Sequence, residues 1–375
     1  MDATKRLAKV TTNEFFPLRV VGTSMLPNIL LMCKLAFVML CLYGFVGYIN
    51  DPHIPFLKLF DQLRAYQNVF KLIMRLVFLL SGVLLLLNVR VRSMSILLGI
   101  TIILILLSSK PVFRNHLFIL GCFFFLAGLS NKKHDPWLLY VQFALVYIGA
   151  VINKIPQIDW WTGQFMDNWL GNARENHIYI SIAKFFPEMV FAKFLSWSSM
   201  LSELTIAILI LNKKTHKLAV WGILIFHTLL YTLTAHRFGH FYEDIVLGLL
   251  LFLNWPKHSL KIFIDNQKLD FFSKAVQFLN FNKSFIWHDE PFNQVYWLKI
   301  TINGKAENNW NGLRRLLLYS SNFYVFLFGL DFLIRLLFNG ISAHIVLIVI
   351  TWMGLLFFLP LLWNTKRRIE KEIIV

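Results

Sequence analysis

Ten apolar stretches alternate with polar connections along the chain, at about 29–48, 67–88, 94–109, 113–129, 137–153, 196–212, 218–235, 241–255, 316–338 and 342–363. A helix rises 1.5 Å per residue and needs ~20 apolar residues to cross the hydrocarbon core of a bilayer. The pattern therefore predicts an all-α fold, a polytopic helical membrane bundle of about ten spans. Its parts are an amphipathic arm at 1–28, an eight-span core at 29–255, a connection at 256–315, a two-helix hairpin at 316–363 and a basic tail at 364–375. The third, fourth and eighth stretches are short, and the eighth opens on polar residues, Glu243 and Asp244 among them. The connection mixes apolar, basic and amide residues. A small cap with a hairpin at Asn303-Gly304 and amphipathic helices lying on the membrane are both open for it.

Composition agrees with a membrane protein. Of 375 residues, 57% are hydrophobic and only 15% charged, below the quarter usual in soluble domains. The net charge of +17 is explained by where the charges sit. With the N-terminus in the cytoplasm, most Lys and Arg fall on the arm, on 89–93, 130–136, 213–217 and 256–315, and on the tail. Those segments would all face the cytoplasm, as the positive-inside rule requires. Both termini are thus expected to be cytoplasmic, and the basic balance does not call for a nucleic-acid partner. Cys33, Cys41 and Cys122 lie in apolar segments and form no CxxC spacing, so no disulfide framework is expected. The N-terminus shows no apolar signal region or cleavage site, which leaves the first span as the expected insertion signal.

The most informative stretch is WLLYVQFALVYIGAVINKIPQIDWWTG, from Trp137 to Gly163. An apolar run ends at Asn153-Lys154, is broken by Pro156 and continues into a Trp-rich piece. A helix that spans and then turns along the interface reads this way, since Pro ends a helix and Trp favours headgroup depth. Tyr147 and Lys154 are seven residues apart and share a helix face. Alone, Lys154 also reads as a lysine snorkelling into headgroups.

Other polar residues gather towards the same, outer leaflet. Arg114, Asn115 and His116 sit at the outer end of the fourth stretch. Glu203 is expected roughly 10 Å inside the sixth, and His227 roughly 13 Å inside the seventh. His236, Arg237 and His240 form the following turn, with Glu243 and Asp244 just beyond. An ionisable group in a span is costly unless it is paired or faces water, which makes each a functional candidate. Each also has a structural reading: an interhelical hydrogen bond for Glu203, packing for His227, a headgroup anchor for Arg114. A single HxxxH at His236 and His240 is a weak metal signal, and no metal is expected.

The ordered set resembles the vitamin K-dependent gamma-carboxylase and its bacterial relatives, the HTTM (horizontally transferred transmembrane) proteins. The likeness runs from about Asn115 to Trp255. It is carried by Asn115-His116, Gln142, VYIGAVINKI with Lys154, Asp159-Trp160 with Gly163, Ser202-Glu203-Leu204, Phe226-His227 and Gly239-x-Phe241. The resemblance implies a carboxylase-like core at 29–255 in a bacterial inner membrane, with the active site towards the periplasmic or lumenal side. It implies that Lys154 takes a proton from reduced vitamin K or a menaquinone-type hydroquinone. Oxygen then adds, and the product is a base strong enough to remove a glutamate γ-proton before CO2 enters. By the same resemblance His116 serves the carboxylation half-reaction.

Elementary chemistry is compatible with that role. A lysine is nearly all protonated at neutral pH, and desolvation disfavours the ammonium. A span end roofed by Ile155, Trp160 and Trp161 is a place where that would happen. Glu203 or His227 would orient the oxygens of a flat quinol arriving through lipid, and Asn115, Tyr147, Trp160, His236 and His240 complete the expected substrate-binding set. The chain departs from the family in having Asn153-Lys154 where the carboxylase has two adjacent lysines. It also lacks any counterpart of the long lumenal region that binds propeptide and glutamate. Expected partners are the lipid bilayer, a lipid-soluble quinol and a protein or small-molecule acceptor. The contrasting reading is a non-catalytic HTTM-type subunit or scaffold whose buried polar residues hold helices together. A transporter would show related halves, and no internal repeat is visible.

Overall fold

The computed structural model describes residues 17–234, 241–256, 260–264, 274–275, 285–289, 297–302, 305–338 and 341–362. In chain order its main helices are α1 (Pro27–Leu42), α2 (Gln67–Leu86), α3 (Val91–Ser108), α4 (Asn115–Leu129), α5 (Trp137–Lys154), α6 (Ile158–Thr162), α7 (His177–Ala183) and α8 (Val190–Leu211). They are followed by α9 (His216–Leu233), α10 (Phe241–Gly248), α11 (Asn309–Leu318), α12 (Ser321–Leu337) and α13 (Ile341–Phe358). Strands β1 (Leu260–Ile264), β2 (Phe285–Asp289), β3 (Leu298–Ile302) and β4 (Lys305–Asn308) lie between α10 and α11.

This is an integral membrane protein, with two corrections to the reading above. Among the described residues, six helical segments are long and apolar enough to cross, seven if α11 and α12, bent by 78° at their junction, count as one. α1 and α4 are apolar but shorter, and α10 gives way at Leu249–Phe252 to a 3-10 turn. The ten apolar stretches thus correspond, among the described residues, to six or seven full-length candidate spans and two shorter apolar helices. Nor is the fold purely helical: the connection holds a four-stranded mixed sheet of order β2-β1-β3-β4.

The chain divides into two compact units. One comprises 1–38, 79–95 and 253–375. In its sheet, β1 runs parallel to β2 and antiparallel to β3, with Ile262 opposite Ile300. β3 and β4 pair across 303–304, with Ile302 opposite Lys305. Alternation places Leu260, Ile262 and Ile264 of β1 inward and Lys261 outward, as a strand with one buried face requires. Leu313 and Leu316 of α11, with Tyr319, close the core. In the same unit Lys34 is buried and donates to the carbonyls of Pro17, Arg19 and Leu86 and to Asn88 Oδ1, at 2.6–3.0 Å. Backbone oxygens thus hold an ammonium within an apolar helix.

The other unit comprises 39–78 and 96–252. α3 and α4 approach so closely that a Cβ on Gly99 would lie 2.6 Å from the Gly121 carbonyl oxygen. Small residues permit such contacts between membrane helices. α8 packs along α5 and also contacts α9. After α5, the chain turns into α6 and reaches Gly163, whose φ is +84°. A Cβ there would lie 2.5 Å from the Lys193 amide nitrogen. Glycine is needed for both the left-handed backbone and the close approach to α8. That contact holds the Trp-rich piece against the helix carrying Glu203.

Candidate functional site

Lys154 is the last residue of α5, and its side chain is directed at α8. Its Nζ donates to both carboxylate oxygens of Glu203, at 2.6 and 2.5 Å, and to Ser199 Oγ at 3.1 Å. The ion pair is largely buried, with side-chain exposures of 14% and 10%. Ser199 and Glu203 are four residues apart and hence neighbours on one face of α8. Trp160 of α6 lies beneath the amine, its ring centroid 4.5 Å from Nζ. Phe165 stacks on Trp160 at 4.3 Å, and Trp169 follows at 6.0 Å. The cation is thus held by a carboxylate and a hydroxyl and covered by an aromatic face.

This changes the expected roles. Glu203 engages the lysine directly, a contact the sequence reading had not assigned to it. α8 starts at Val190, six residues before the predicted span, so Glu203 lies in the middle of its helix.

Two turns before Lys154 on α5, Tyr147 is buried, and its hydroxyl is 2.9 Å from His227 Nε2 of α9. α5, α8 and α9 therefore contribute two polar pairs, amine–carboxylate and phenol–imidazole, in otherwise apolar packing.

Among the other expected site residues, Asn115 is exposed at the start of α4, outside the lysine–glutamate cluster, and His116 follows it half-buried. Arg114 is exposed and donates to the carbonyls of Pro111 and Phe113, so its bonds are local. His236 and His240 lie outside the described residues. Among the described residues no group of three or more His, Cys, Asp or Glu is arranged to hold a metal.

Some contributors escaped the sequence reading. Ser199 is one, although its spacing from Glu203 was available as a signal. Asn176 is another: its side chain accepts from the Tyr179 amide and donates to the Leu233 carbonyl, joining the start of α7 to the end of α9. Tyr179 donates to Asp167 Oδ1 at 2.6 Å, and burial, followed by that bond and the Asp167 charge, raises the phenol above its ordinary range.

A membrane-embedded helical unit with a buried lysine–glutamate pair beside a tyrosine–histidine pair defines a class of polytopic membrane protein with an intramembrane polar site. Residues 132–255 match the family model of the HTTM domain. The match contains Tyr147, Lys154, Trp160, Glu203 and His227 and begins after Asn115 and His116. No curated protein and no solved structure matches the chain.

Proposed function

We propose that this chain is a membrane enzyme that deprotonates a lipid-soluble hydroquinone, of the reduced vitamin K or menaquinone kind, and directs its oxygenation to an epoxide. The observation that carries the reading is the buried Lys154–Glu203 pair within the HTTM segment. An ionised pair is a proton donor and acceptor in one place. In low dielectric, a proton moves between partners 2.5–2.6 Å apart without separating charge over any distance. The amine–carboxylate unit, rather than a lone amine, takes the phenolic proton. Trp160 shields the pair from water, and Ser199 keeps the amine in position.

The residues around the pair suit such a substrate. Ile152, Ile155 and Trp161 are exposed beside Lys154, so a flat apolar ring has an approach from lipid. Tyr147 and His227, both buried and 2.9 Å apart, join α5 to α9 two turns from the lysine. The bound hydroquinone and O2 together supply the oxidising chemistry, with epoxide and water as products. Coupling to CO2 and a protein or small-molecule acceptor, through His116, is the further step that the family likeness suggests. The topology proposed with it has both termini cytoplasmic and the site towards the outer leaflet of a bacterial inner membrane.

The test is incubation of the purified protein with reduced menaquinone or vitamin K and oxygen, with epoxide measured by mass spectrometry. Epoxide formed only with the protein present supports the proposal; none with either quinol refutes it. The bidentate geometry also favours a second reading, in which the pair ties α5 to α8 in a non-catalytic HTTM-type subunit. Under that reading no quinol is consumed, and loss of the pair affects assembly alone.

A further inference from the structure

Lys71 and Arg75 lie one turn apart on α2, a helix with no acidic residue. Both are fastened to one residue: Lys71 Nζ donates to the Asn50 carbonyl at 3.3 Å, and the Arg75 guanidinium donates to Asn50 Oδ1. An amide orients these cations but neutralises neither. Among the described residues neither makes an ion pair with a carboxylate, and Arg75 Nε is buried with no hydrogen-bond partner. A buried donor without a partner is costly, and so are two uncompensated cations on a membrane helix.

Lys71 also lines a hollow with Tyr48, Asp51, His53, Ser108 and Ser109. The hollow's hydroxyl and imidazole donors are partly used already. Ser108 donates to Ile105 O, Ser109 donates to Pro52 O, and His53 Nε2 lies 2.8 Å from Phe60 O. The lining holds one cation, Lys71, and one carboxylate, Asp51, and Arg75 lies outside it.

We propose that the Lys71–Arg75 face of α2 binds a phosphate group, as carried by an anionic phospholipid or present as free phosphate. A phosphate offers several acceptor oxygens and negative charge at once. It matches a guanidinium in a forked geometry and an ammonium as a point charge. Acyl chains would lie along the apolar exposed residues of the same helix, Leu72, Leu76 and Leu80.

The test uses the full chain, stripped of lipid in detergent and then supplied with phosphatidylglycerol, phosphatidylcholine or inorganic phosphate. Retention is followed by native mass spectrometry and stability by thermal unfolding. Phosphatidylglycerol should be retained in preference to phosphatidylcholine and should raise the unfolding midpoint. The double substitution Lys71→Gln, Arg75→Gln should reduce that preference about tenfold or more, as expected for lost charge-assisted hydrogen bonds. Arg64→Gln, at an exposed cation in the 3-10 helix that precedes α2, should leave it unchanged. Protection by inorganic phosphate would assign a free phosphate as sufficient, and protection by the lipid alone would assign the headgroup. Equal retention of both lipids by the wild type, the same preference in the double variant, or an equal loss in Arg64→Gln overturns the site. The wild-type lipid comparison decides the question if the double variant does not fold.

Discussion

Glu203 spends both carboxylate oxygens on one ammonium, so removing either partner exposes the other. Glu203→Ala leaves a buried cation uncompensated and should destabilise the protein by about 3–5 kcal/mol. Replacing both members with apolar residues of similar size, Lys154→Met with Glu203→Leu, should restore most of that loss. Thermal unfolding of Lys154→Met, of Glu203→Leu and of the double variant checks this as a cycle, whose coupling term should be favourable to the pair. Tyr179 gives a pH-dependent counterpart outside the spans. Burial, and then the bond to Asp167, raises its folded pKa above the ordinary value of 10.0. Folding therefore favours the neutral phenol. Its contribution is complete below the unfolded pKa near 10 and is lost as pH rises above it towards the folded value. Relative to Tyr179→Phe, the wild type should lose stability above about pH 10 and show no such difference at neutral pH.

At the scale of elements, two glycines set how closely segments approach. Gly163→Ala must fit a Cβ 2.5 Å from the Lys193 nitrogen at a φ of +84°. It should cost at least about 1–3 kcal/mol in unfolding experiments and move Trp160 away from Lys154, seen as a change in tryptophan fluorescence. The hydrophobic runs made most helices legible, because spans are long and their apolar content has no competing explanation. The end of α5 at Lys154 and the short α6 beyond it could be read from Asn153-Lys154, Pro156 and the Trp cluster. Less legible was the sheet. Strands of four or five residues in a chain this apolar do not separate from amphipathic helix by pattern alone. Leu260-Lys261-Ile262 and Leu298-Lys299-Ile300 alternate correctly, yet the same residues suit a surface helix. Span lengths were overread for a similar reason, since apolar turns and 3-10 segments extend a hydropathy plateau past the helix proper, as at Leu249–Phe252. The lysine–glutamate pairing lay beyond reach because it joins positions 49 residues apart, and both residues were visible only as expensive charges.

For the whole molecule, the segment at 132–255 that matches the HTTM domain, the α2 cations and the sheet-bearing connection lie on one membrane chain. Reporter fusions at residues 1 and 375 should both report the cytoplasm, and a tag placed in 167–176 should report the opposite side. An opposite-side signal from either terminus would contradict the charge-based topology. The account turns on whether the Lys154–Glu203 pair performs chemistry or only joins helices, and the paired apolar replacement separates these roles by removing proton transfer while keeping the contact. The decisive measurement is the rate of epoxide formation from reduced menaquinone by the folded Lys154→Met, Glu203→Leu variant, at wild-type unfolding midpoint. The account predicts turnover by the wild type and none by the variant; epoxide formed at the wild-type rate without the pair would contradict it.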